Sequence, residues 1–293
     1  MKYDLIIDSR SSEVVIALLR DGLLIELHKQ KHDNNFSVGD IYLGKVRKTV
    51  PGLNASFVNI GYEKDGFLHY LDLGPQFKSF KNFTRKAIDK KLNTASLKNF
   101  KKETNLEKDG KINDALKSGD LILTQISKEP ISTKGPRLTT EISLAGRYMV
   151  LMPFSDRVSI SQKIDDPEEK ARLKKLIRSI KPHGFGVIIR TVATGKKVAE
   201  LDRDLKNLYK KWQIISKKLK DAQPNTKILG ELNRSEAILR DLLSSKFNNI
   251  HVNSIYSSWH EEPDIFVQRI AIRTVSAGSQ DGMECPSDVL IAS

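Results

Sequence analysis

Residues 39–70, GDIYLGKVRKTVPGLNASFVNIGYEKDGFLHY, carry the side chain types needed to hold a flexible polyanion. Phe57 follows a serine and Phe67 follows a glycine, and both lie close to lysine. Their rings offer flat faces on which nucleobases can stack, while Lys45, Arg47, Lys48 and Lys64 offer charge to the phosphates. The competing use of a strand phenylalanine is to fill a core, and periodicity does not fix which face each one takes. A second constellation is Arg190-Thr191, which closes the apolar run GVIIRT at 186–191. A guanidinium fork and a hydroxyl can converge there on a phosphate in a geometry that lysine does not supply. By composition alone the same pair at a strand end is more often solvated surface.

Both constellations need strands to position them. Ile41, Leu43 and Val46 begin a β-rich run, Pro51-Gly52 marks a tight turn, and 55–60 and 66–68 supply two further short strands. DLILTQIS at 120–127 returns the chain to a last strand. Short strands between Gly and Pro turns predict an OB-type barrel with one face open to single-stranded nucleic acid. Before it, 3–8 and 13–20 read as strands, with Asp21-Gly22 as a hairpin turn into 23–28. Three strands are too little chain for a domain, so they need partners from later in the sequence.

Within the barrel lies a Lys- and Asn-rich insertion, 71–117, in which Phe77, Phe80, Phe83 and Phe100 are scattered among bases. It reads either as an RNA surface or as a solvated basic loop anchored by a few phenylalanines. A turn-rich connector, KEPISTKGP at 128–136, carries Lys134 and leads to Arg137. Strand-rich runs follow at 141–153 and 186–192. Between them Pro167-Glu168-Glu169 opens a helix whose bases, Lys174, Lys175 and Arg178, lie toward its end, as the helix dipole favours. A long helix is predicted over 197–221, because Val198, Leu201, Leu205, Leu208, Trp212, Ile215 and Leu219 line one face. Ser235 then caps a second helix, and 247–252 forms a strand that should pair with the N-terminal ones.

The chain of 293 residues, 39% hydrophobic, has room for two compact domains or for one inserted into another. A formal charge of +13 favours a polyanionic partner. No run of about 18 apolar residues could span a bilayer, and the N-terminus enters a strand pattern at once, without a secretory leader. The single cysteine, Cys285, excludes an internal disulfide and a multi-cysteine zinc site, which predicts a reducing, cytoplasmic setting.

The motifs GDIYLGKV, PGLNASFVNIG and GFLH, in that order, resemble the S1 domain that opens the RNase E/G family of bacterial endoribonucleases; KGPRLTTEISLAGRYMVLMP at 134–153 and GVIIRT extend the likeness. It covers roughly the first 250 residues by ordered motifs. The resemblance implies an α+β architecture: an OB-type (S1) barrel at 38–128 inserted into an incomplete RNase H-like subdomain made of 1–37 and 225–253, with a mixed α/β 5′-sensor region at 129–224. It implies RNA contacts by Phe57, Phe67, Lys45, Arg47, Lys134 and Arg137. It also implies recognition of a 5′-monophosphate by Arg190 and Thr191 with backbone groups around Gly146 and Val150. Where enterobacterial members carry a further arginine, this chain reads Ser161-Gln162-Lys163.

Family members continue into a DNase I-like domain with two metal-binding aspartates and a zinc-linking CPxC element. Residues 254–293 match neither: Glu261, Glu262 and Asp264 read as solvated loop acids, and Cys285-Pro286 has no second cysteine. The unfamiliar tail suggests a truncated chain ending in a shifted frame or a fusion. The expected function is therefore binding of single-stranded RNA, preferably with a 5′-monophosphate, without cleavage by this chain alone. Magnesium serves the intact family and no specific metal is expected here; with no zinc link, the oligomeric state is left open. The alternatives are a stand-alone RNA-binding or ribosome-associated module, and a basic module that binds an acidic protein.

Overall fold

The computed structural model describes residues 2–9, 13–31, 36–92, 94–231, 247–252 and 273–274. The chain divides into two compact units, one drawn from its two ends and one spanning Phe36–Glu231. The second helix expected around Ser235, and all of the tail except 273–274, lie outside the described residues.

In the first unit, β1 (Tyr3–Ser9), β2 (Glu13–Arg20) and β3 (Leu23–Lys31) form an antiparallel meander. Asp21 and Gly22 both take positive φ, 50° and 81°, the turn whose twist suits a two-residue hairpin. The strand β14 (Phe247–Val252) lies parallel to β1, and β15 (Arg273–Thr274) lies parallel to β14. The N-terminal strands thus find the late partner that their small size requires, and Leu5, Ile16 and Leu18 form their core.

The second unit begins with the predicted barrel. The strands are β4 (Ile41–Val50), β5 (Ala55–Asn59), β6 (Gly66–His69), β7 (Leu121–Lys128) and β8 (Arg137–Thr139). The first half of β4 pairs with β7 and its second half with β5, while β8 fits between β6 and β7, so five strands close on themselves. This closed barrel in a mixed α+β protein is consistent with an OB-type fold. Two strands differ from the sequence expectation. The closing strand β8 lies beyond residue 128, within the stretch assigned to the next region. The strand β13 (Thr226–Leu229), grouped on sequence with the second part of the outer subdomain, pairs with Ile41–Leu43 of β4.

The insertion packs as core. Its helix α1 (Phe77–Ile88) buries Phe77 among the barrel residues Tyr42, Val58 and Leu68, and turns Phe80 and Phe83 into a second core. Its short helix α2 (Ile112–Ala115) adds Ile112 to the barrel core. Phenylalanines three residues apart share one helical face, so they pack while the bases between them face out.

That second core underlies a four-stranded sheet, in the order β11 (Val158–Ile160), β12 (Phe185–Ile189), β10 (Met149–Pro153), β9 (Leu144–Ala145). Two helices accompany it, α3 (Pro167–Ile180) and α4 (Val198–Lys218). The predicted stripe of α4 is buried from Leu201 to Ile215. Trp212 sits at its centre, with its ring 4.9 Å from Phe83 and its Nε1 donating to the Ala95 carbonyl at 2.9 Å.

Candidate nucleic-acid interface

Strand register decides which barrel side chains meet. Across the sheet Lys48 lies opposite Phe57, Phe57 opposite Phe67, Phe67 opposite Arg137, and Arg137 opposite Lys128. The two rings are half-buried between the buried neighbours Ser56, Val58, Gly66 and Leu68, so they stand on the outer face of the barrel. Their centroids are 5.9 Å apart in an edge-to-face arrangement, and the Lys48 ammonium lies 5.3 Å from the Phe57 ring. The result is a row of two aromatics flanked by three bases. Lys128 joins this row through a bulge between Ile126 and Lys128 that shifts its pairing and that no sequence pattern marks.

The remaining sequence candidates are spread around this row. Lys45 and Lys64 are exposed, and Arg47 is exposed with Asp65 3.7 Å from its Nε. Arg137 is held by a bidentate contact with Asp72, Nε to Oδ2 at 3.0 Å and Nη2 to Oδ1 at 3.1 Å. These hydrogen bonds raise its pKa further. Lys134 is exposed at the end of a tight turn closed by hydrogen bonds between the backbones of Ile131 and Lys134. The next residue must be small: a Cβ on Gly135 would lie 2.2 Å from the Asp65 carbonyl oxygen. That close approach seats the connector against the β5–β6 loop.

The phosphate candidates lie at one end of the two central strands, β12 and β10, of the four-stranded sheet. Arg190 directly follows β12; its backbone N–H donates to the Tyr148 carbonyl at 2.8 Å and its Nη1 to the Gly146 carbonyl at 2.9 Å. The exposed Thr191 begins a 3-10 turn, Thr191–Ala193, and its hydroxyl is 3.1 Å from that of Ser161. Ser161 thus occupies a place beside Thr191 that the sequence left undefined, whereas Gln162 and Lys163 are exposed. Val150 lies across from Ala145 and Ile188, two residues along from the Tyr148–Arg190 contact and at the same end of the strands.

The turn between β9 and β10 is already supplied with an anion. The Asp204 carboxylate, from α4, accepts from the backbone N–H groups of Arg147 (3.2 Å), Tyr148 (2.9 Å) and Met149 (3.3 Å). The Gly146 N–H donates to the Met149 carbonyl. A Cβ on Gly146 would lie 2.7 Å from Asp204 Oδ2, which is the local reason for glycine. Asp204 orders the turn whose carbonyl groups hold Arg190; nothing in the sequence marks it, since it lies 57 residues from its first partner.

Two acids, Glu169 and Glu200, shape the electrostatics around the loop after Arg190. Glu169 accepts from Arg172, Nε at 2.6 Å and Nη2 at 2.7 Å, and from the Gly195 N–H at 2.8 Å. The Arg172 hydrogen bonds first, and the Gly195 amide second, hold its pKa down at about 2. Lys196 places its ammonium 5.7 Å from the Tyr148 ring and 3.6 Å from Glu200.

Among the described residues no group of three or more His, Cys, Asp or Glu side chains could hold a metal ion. None of their helices is long and apolar enough to cross a membrane.

The family model described as "Ribonuclease E/G family" matches residues 143–276. The chain is 32% identical to "Ribonuclease G" of Escherichia coli (strain K12) over 254 residues, 87% of this chain and 48% of the relative. It is 33% identical to "Ribonuclease G" of Haemophilus influenzae over 251 residues, 86% of this chain and 47% of the relative. It is 36% identical to "Ribonuclease E" of Synechocystis sp. over 218 residues, 74% of this chain and 28% of the relative. The chain spans about half the length of the ribonuclease G relatives it matches, and the matches run across both the barrel and the sheet that carries Arg190. It belongs to the ribonuclease E/G family.

Proposed function

We propose that this chain binds single-stranded RNA on its barrel and engages a 5′-monophosphate with Arg190 and Thr191, as part of an endoribonuclease acting in RNA processing or decay in the cytoplasm. The observation that carries this reading is the cross-strand row of Lys48, Phe57, Phe67, Arg137 and Lys128. Two adjacent rings give a stacking platform that tolerates any base, and bases at both ends give the backbone charge to follow. Lys45, Arg47 and Lys134 widen that basic margin.

Support for the 5′-end contact comes from the order of the site's own side chains. The guanidinium is oriented by the Gly146 carbonyl and the Thr191 hydroxyl by Ser161, so a phosphate that docks there has little side chain freedom left to freeze. The amides of residues 147–149 are taken by Asp204, so in this reading the turn contributes by holding Arg190, with Val150 packing beside the first nucleotide. The sheet order β15-β14-β1-β2-β3, with β1, β14 and β15 parallel, supports an RNase H-like subdomain split by the second unit. Magnesium would activate water and stabilise charge developing on the phosphate during cleavage. The family resemblance assigns its ligands to the DNase I-like domain of intact members, and this reading expects none in this chain.

The test is binding of one short labelled RNA carrying either a 5′-monophosphate or a 5′-hydroxyl, at several stated salt concentrations. Both should bind, more weakly as salt rises, with the monophosphate favoured about tenfold, the worth of a charge-assisted hydrogen bond. Equal affinities would overturn the 5′-end contact. No affinity for either RNA at low salt would overturn the barrel reading and favour an acidic protein partner.

A further inference from the structure

Arg190 and Thr191 open a loop that α3 grips from its far end. Asp166 caps α3 by accepting from the Glu168 N–H at 2.9 Å, with Pro167 at the first helical position. This cap places Glu169 and Arg172 on successive turns, three residues apart on one face. Their bidentate pair then reaches out of the helix twice. Glu169 accepts the Gly195 N–H at 2.8 Å, and Arg172 Nη2 donates to the Lys196 carbonyl at 3.3 Å.

Between the two ends of the loop there is little slack. The Ala193 N–H donates to the Arg190 carbonyl, and the Thr194 N–H and hydroxyl both donate to the Thr191 carbonyl. Gly195 takes φ +70°, which lets the chain turn back toward Glu169 before Lys197 leads into α4. The 3-10 turn is therefore a hydrogen-bonded unit, and fixing Gly195 and Lys196 fixes the direction in which Arg190 and Thr191 leave the sheet.

We infer that Glu169 and Arg172 are positioning residues of the phosphate site, clamping the loop so that the Thr191 hydroxyl and the Arg190 guanidinium face the same point; this inference rests on the 5′-monophosphate reading above. Neither residue touches the phosphate. The fork matters as well as the charge: one guanidinium must meet two carboxylate oxygens and a carbonyl at once, which an ammonium cannot do in a plane. The ionised state of Glu169 is secured, since the same bonds keep its carboxyl far below the usual range.

The experiment compares wild type, Glu169→Gln, Arg172→Ala and Arg172→Lys for the ratio of affinities between 5′-monophosphate and 5′-hydroxyl forms of one RNA. Circular dichroism melting of each full chain is run alongside. The clamp predicts that all three variants lose about fivefold of the ratio, the value of a hydrogen bond or two, while affinity for the 5′-hydroxyl RNA stays at the wild-type level. Arg172→Lys should not rescue; rescue would show that only the charge counts and would overturn the clamp. Variants that keep the full wild-type ratio would overturn the clamp and leave the 5′-monophosphate reading standing. A wild type with no ratio to lose would overturn both. If Arg172→Ala melts below the assay temperature, Gly195→Ala decides, because it strains the backbone at an exposed position with open space around the new methyl group. A reduced ratio supports the clamp and an unchanged one contradicts it.

Discussion

Arg190 donates from Nη1 to the carbonyl oxygen of Gly146 at 2.9 Å, across 44 residues of sequence. The contact ties the end of β12 to the turn between β9 and β10. That turn is in turn held by Asp204, so three separate stretches of chain set the direction of one guanidinium. Replacing Arg190 with alanine should lower affinity for 5′-monophosphate RNA by roughly tenfold or more, the range for a charge-assisted hydrogen bond. Binding of 5′-hydroxyl RNA should not change. Arg190→Lys should recover little, because lysine lacks the fork; titrations with the two RNAs measure both.

Gly146→Ala tests the supporting turn. The added methyl would meet Asp204 at the tip of a side chain, which can shift and release its three amides. The expected result is a smaller preference for the monophosphate with a modest loss of stability, of about 1–2 kcal/mol for weakened hydrogen bonds. Melting curves and paired affinities read the two effects separately.

On the barrel, Phe57→Ala and Phe67→Ala should each weaken both RNAs by about 1–3 kcal/mol, the usual worth of one stacked base. Their rings touch, with centroids 5.9 Å apart, so the double variant should lose less than the sum. Lys48→Ala should weaken all RNAs alike and lower the slope of log K against log salt by about 0.7, as for one phosphate contact on a single strand. An unchanged slope would take Lys48 off the RNA path.

The dependence on pH follows from Glu169. Its pKa is depressed, so the stability it contributes is fully present above the ordinary carboxylate value of 4.5 and is lost as pH falls through about 2. Between pH 5 and pH 8 the clamp is therefore constant. Any fall of the monophosphate preference in that window should track the second ionisation of the terminal phosphate, near pH 6. Affinity ratios measured across the window should show that single step.

Much of this was legible in the sequence, for physical reasons that differ by element. Asp21-Gly22 gave away the first hairpin because both residues tolerate positive φ, and the stripe from Leu201 to Ile215 gave away α4 because burial follows helical spacing. The short strand β8 was hidden, since three residues after a turn-rich connector have no period to detect. The phenylalanines of 71–117, which sequence left between an RNA surface and anchors, are anchors at Phe77, Phe80 and Phe83, all nearly inaccessible to solvent. Asp72, Asp204 and Glu169 could not be found from sequence, because each acts on backbone or side chain partners brought near only by the fold.

The most direct test is a double-mutant cycle of Phe57→Ala and Arg190→Ala on one RNA in its two 5′ forms. Two separable contacts predict that Phe57→Ala weakens both forms by the same factor, that Arg190→Ala weakens only the monophosphate form, and that the effects add. If Arg190→Ala weakened both forms equally, or Phe57→Ala left both untouched, the division of labour between the barrel and the end of β12 would be wrong.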